Sequence, residues 1–108
     1  MTALTPISMS SAGVSAPTLI NVPVMTNGAS PSYQLGLICT VPNGTTLTYS
    51  VQVTADQSPS STGNWNNSSV VSVTTSTNGL INYPVTGVRV NVATLSAGTL
   101  NVGIALWP

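Results

Sequence analysis

The reactive side chains of this chain are few enough to take one at a time. Its 108 residues include one carboxylate (Asp56), one cation (Arg89), one thiol (Cys39), and no Lys, Glu or His. A Ser or Cys nucleophile needs a base within hydrogen-bond reach, and Asp56 is the only candidate. A hydrolytic triad is therefore excluded within the chain, and no catalytic residue is expected. Zinc and transition-metal shells need several His, Cys or carboxylate ligands, and one of each cannot close one. Calcium held by backbone carbonyls and Asp56 is the one arrangement left, with a single carboxylate to hold it. No metal and no cofactor are expected.

Nucleic-acid binding fails on the same count. Several phosphates must be neutralised for useful affinity, and Arg89 alone cannot do that. Trp65 is the residue with a ligand-binding reading, because an exposed indole flanked by Asn64 and Asn66 can stack on a sugar ring while the amides bond its hydroxyls. The structural alternative is that Trp65 caps the end of the fold or fills a subunit interface, so Trp65, Asn64 and Asn66 stand as a ligand or interface contact. Arg89 is expected to be solvated or paired with Asp56. Cys39 shares an alternating face with Leu35 and Leu37, which predicts a buried, inert thiol.

The elements that must position these residues are strands. Ser, Thr and Asn number 15, 16 and 10, and Val leads the apolar set with 14, a β composition. Residues 32–39 alternate through Tyr33, Leu35, Leu37 and Cys39, and Pro42-Asn43-Gly44 signals a turn. Leu47, Tyr49, Val51, Val53 and Ala55 then share one face, which predicts a hairpin with the preceding run. After a polar loop over 56–67, a strand is predicted over 69–75, a turn at Asn78-Gly79 and a strand over 80–83. Val88, Val90 and Val92, a turn at 96–98, and Leu100, Val102, Ile104 and Leu106 predict a second hairpin. Short strands in period two, with turns between them, predict an all-β antiparallel sandwich of jelly-roll type.

The first 31 residues differ. They are rich in Ser, Thr, Ala and Pro, with prolines at 6, 17, 23 and 31 and one short extended run over 18–24. They predict an extended N-terminal arm, 1–31, that orders against a neighbour, followed by a sandwich domain, 32–108. Asn27-Gly28 adds a third Asn-Gly turn signal. No basic stretch leads into an apolar run at the N-terminus, which predicts synthesis in the cytoplasm, and the C-terminal apolar segment is interrupted too often to span a membrane.

The charged fraction is 2% against about 25% in an ordinary soluble domain. A neutral surface lacks the repulsion that keeps copies apart, which suits a subunit packed among others. The run LTYSVQVT at 47–54, Asp56, the Trp65-Asn66 pair in a Ser/Asn-rich loop, YPVTGVRVNV at 83–92 and GTLNVGIAL at 98–106 resemble small virion structural proteins of tailed bacteriophages. The resemblance spans residues 47–106 and rests on strand and turn patterns. It implies a non-enzymatic virion protein, made in the host bacterial cytoplasm, that decorates or cements the head. The implied partners are itself, as a homo-oligomer for which a trimer is the guess, and the major capsid protein or another virion protein. The alternative it implies is a lectin-like receptor-binding module of a tail or head fibre. The loop around Asp56 is poorer in acidic residues than that group, so no calcium or receptor role carries over to it.

Overall fold

The computed structural model describes residues 2–20, 34–83 and 85–107. The alternating runs become β5 (Gln34–Thr40), β6 (Leu47–Thr54), β9 (Gly87–Leu95) and β10 (Leu100–Trp107). Each turns its large apolar side chains the same way, because a one-residue slip would put the whole set in water. Leu35, Leu37, Cys39, Leu47, Tyr49, Val51, Val53, Val88, Val90, Val92, Leu100, Val102, Ile104 and Leu106 are all buried in one core. Ala55 leaves this face, since β6 ends at Thr54 and the chain turns away exposed. Tyr33 lies outside the described residues.

Two antiparallel sheets pack over this core. In the first, β1 (Thr2–Ala3) and β2 (Ile7–Met9) lie beside β10, followed by β5 and β8 (Thr77–Ile81). In the second, β3 (Gly13–Val14) and β4 (Thr18–Leu19) lie beside β9, followed by β6 and β7 (Asn66–Asn67). The chain is thus all-β and sandwich-like.

Neither predicted hairpin forms. β5 and β6 belong to opposite sheets, as do β9 and β10, so each turn carries the chain over the core instead of doubling it back beside itself. Alternation cannot distinguish the two outcomes, because the apolar face reaches the core either way. The two crossings stack on each other: the Ser96 amide and hydroxyl both donate to the Thr46 carbonyl, at 2.9 and 3.2 Å. Gly98, at φ +88°, packs where Thr45 Oγ1 would collide with a Cβ, so only glycine satisfies both its backbone and its space.

Asn43-Gly44 turns as expected, with Thr45 N–H donating to Pro42 O at 3.2 Å. Asn78-Gly79 does not. It sits inside β8, where a Cβ on Gly79 would meet Val70 Cγ2 at 2.6 Å, so this glycine serves close packing inside a strand. The strand expected over 69–75 is reduced to irregular pairing along the edge of β6. Val51 N–H bonds Val70 O, and Tyr49 exchanges bonds with Val73, but Ser72 takes a positive φ of 50° and breaks the ladder.

The N-terminal segment is laid on its own sandwich. Ile7 and Ile20 are buried in the core, Ser15 exchanges backbone bonds with Val90 and accepts the Val90 N–H on Oγ, and Leu4 N–H bonds Ile104 O. A free arm was expected because of the prolines, yet Pro6 and Pro17 fall between the short strands, where no ladder donor is missing. The remainder of the expected arm, 21–31, with its run toward Val24 and Asn27-Gly28, lies outside the described residues.

Candidate functional site

Both charged side chains converge on the loop between β6 and β7, at one end of the second sheet. Arg89 points outward from β9. Its guanidinium carbon lies 4.5 Å from the centre of the Trp65 ring, a cation–π distance. Its Nε donates to Gln52 Oε1 on the paired residue of β6 at 2.8 Å, and Nη1 donates to the Ser61 carbonyl at 2.9 Å. The expected choice between solvation and Asp56 is therefore met by a third arrangement, in which the cation is bound by neutral acceptors and an aromatic face.

Asp56 closes the same loop from the other side. Its carboxylate accepts the Asn64 backbone N–H at 2.8 Å and the Asn64 amide at 3.3 Å. These bonds, the backbone one first, hold its pKa below the ordinary carboxylate value, since they favour the ionised form. Thr86 fastens the base of the loop by donating its hydroxyl to the Asp56 carbonyl at 2.6 Å.

Trp65, Asn64 and Asn66 are brought together, but unequally. Trp65 is half-buried, and its indole N–H donates to the Ser60 carbonyl at 2.7 Å. Arg89 lies over its ring, and Asn64 faces Asp56. Asn66 is exposed at the start of β7, paired in register with Val53. Trp65 is thus a loop anchor, and the residues that make it one, Arg89, Ser60, Ser61 and Gln52, lie too far apart in the sequence to be grouped by spacing. The signal for Gln52 and Arg89 was their shared outward parity on two neighbouring strands.

Cys39 is buried as expected. Burial pushes its thiol pKa up, opposed by its hydrogen bond with the Tyr49 hydroxyl. Burial likewise raises Tyr49 well above the usual tyrosine range, while Tyr49 donates to the Thr75 carbonyl at 2.7 Å. Among the described residues no three His, Cys, Asp or Glu side chains gather as a metal site. No protein-family model matches the chain, and no curated protein or solved structure proves similar to it.

Two hollows mark the surface. One of about 740 Å³ lies within the hooked N-terminal segment, between Leu4 and Leu19. The other, about 560 Å³, runs over the outer face of the first sheet and is walled by apolar side chains and small residues.

Proposed function

We propose that this chain is a structural subunit of a tailed-phage virion, a jelly-roll-like module that decorates or cements the head as a homo-oligomer. The observation that carries the reading is the use made of its two charged side chains. Asp56 and Arg89 are both engaged in holding one loop, so the rest of the side-chain surface is neutral and free to pack against other virion subunits. The phage-protein resemblance over 47–106 supplies the setting. In this reading the partners are further copies and the major capsid protein or a neighbouring virion protein, and no chemistry is performed.

The receptor-binding alternative draws on Trp65 and Asn66. Against it, Arg89 lies over the indole ring and Ser60 takes the indole N–H, which leaves Asn66 as the exposed amide of the predicted pair. Mass spectrometry of purified virions with copy counting tests the proposal. Hundreds of copies per particle are expected; a few copies would favour a fibre or tail location, and absence from the particle would overturn the reading.

A further inference from the structure

We propose that the outer face of the first sheet is the surface through which two copies of this chain dock, sheet against sheet. This deepens the homo-oligomer named above and rests on that reading.

A sheet with one wet face should alternate apolar-in with polar-out, and here the rule fails on one face only. Ile38 and Leu80 point outward and are 56% and 49% exposed, as costly to leave in water as they would be useful in a contact. Around them the face is cut down to almost nothing. Ala3, Ala105, Gly36 and Leu80 lie side by side across four strands, and Gly103 lies beside Ile38 in the next row.

The glycines are unexplained by the chain's own packing. Gly36 and Gly103 sit inside strands without a positive φ, where glycine weakens a sheet. A Cβ on Gly36 would come no nearer than 3.9 Å to Ala105 O, and one on Gly103 no nearer than 3.8 Å to Ile38 O. Space exists for side chains that are missing. A glycine in a strand interior with open space above it marks a place where something outside the chain approaches closely.

A second copy fits this relief. A two-fold contact requires a patch complementary to itself, and a ridge of Ile38 and Leu80 beside a trough of Gly36 and Gly103 meets that requirement, ridge into trough both ways. Charge permits it as well. Asp56 and Arg89 belong to the other side of the sandwich, so stacking the first sheets brings no like-charged side chains together.

The area sets the strength. Four strands at about 4.8 Å spacing, and the 7 residues of β5 at about 3.4 Å rise, give a face of about 450 Å² per copy. Two such faces fall just short of the roughly 1,000 Å² expected of a specific interface. The dimer is therefore weak, populated when subunits are concentrated and monomeric when dilute.

Sedimentation velocity of the purified full chain from about 10 μM to about 1 mM tests this, spanning the range a weak contact requires. Concentration-dependent dimerisation is expected, weakened at least tenfold by Ile38→Lys and equally by Leu80→Lys, should either alone disturb folding. Gly36→Thr is the sharper variant: it fills the trough without meeting its own chain, so it abolishes dimerisation while leaving the unfolding midpoint unchanged or higher. Thr94→Lys, exposed on the second sheet, should dimerise like the parent. A parent that stays monomeric throughout, an Ile38→Lys variant that associates as the parent does, or equal loss in Thr94→Lys overturns the proposal. Virion copy counting is independent of these outcomes, so a virion subunit that is monomeric in solution would refute the interface and leave the functional reading standing.

Discussion

The guanidinium of Arg89 lies 4.5 Å from the ring centre of Trp65, joining the one cation of the chain to a loop residue 24 positions earlier. Both residues are also held by carbonyls of the same loop, Ser60 for the indole N–H and Ser61 for Nη1. The pair is therefore a clasp between the second sheet and its longest ordered loop.

Arg89→Ala should release that clasp. The cation–π contact is worth about 0.5–1 kcal/mol at an exposed site, and the hydrogen bonds from a charged donor add about 1.5–3 kcal/mol at most. A loss of about 1–2 kcal/mol is expected in urea unfolding, with a change in Trp65 fluorescence. Arg89→Lys should recover little, because an ammonium cannot lie flat on the indole and reach Gln52 and Ser61 at once. Full recovery by lysine would mean that charge alone matters.

The N-terminal segment should be needed for folding. Ile7 and Ile20 are 7% and 6% exposed within the core, and truncating either to Ala should cost about 2–5 kcal/mol. A chain lacking residues 1–20 also uncovers the edges of β9 and β10, and should unfold at lower temperature and aggregate. An unchanged midpoint in calorimetry would place this segment outside the folding unit.

Stability should be flat in the neutral range and fall at both ends. The folded pKa of Asp56 is lowered, so its contribution is present above about pH 4 and is lost as pH falls through the folded pKa. Cys39 and Tyr49 have raised folded pKa values. The unfolded chain therefore releases those protons first, and stability declines as pH rises above about 8.5 and then above about 10. Urea midpoints measured against pH should show this plateau, and Asp56→Asn should remove the acid dependence; a steep change between pH 5 and 8 has no side chain to cause it.

Attachment to the particle should resist salt. With one cation and one anion per subunit, few ion pairs exist for salt to screen, and at about 1 M the Debye length is only about 3 Å. A moderate denaturant should strip the protein before salt does, since it solvates apolar and peptide groups alike. Release by salt alone, assayed by gel of washed particles, would show that ionic contacts carry the attachment.

The sequence alone determined the strands and which of their faces is inward. Leu35 to Cys39, Leu47 to Val53, Val88 to Val92 and Leu100 to Leu106 are buried as their alternation requires, because side-chain parity is a local property of an extended backbone. It also determined that Cys39 is buried. Tertiary structure decided what local parity cannot express: whether β5 and β6, or β9 and β10, pair or cross between sheets. It decided that Asn78-Gly79 lies in a strand, since Val70 packing on Gly79 outweighs a turn propensity. It laid the proline-rich N-terminal segment on the edges of β9 and β10, where short strands leave Pro6 and Pro17 unpaired. At the candidate site, Trp65, Asn64 and Asn66 were legible as a cluster because they are consecutive, while their engagement by Arg89, Ser60 and Asp56 was not. That engagement depends on strand register and loop closure, which bring together residues up to 37 positions apart, and neither is encoded in any one segment.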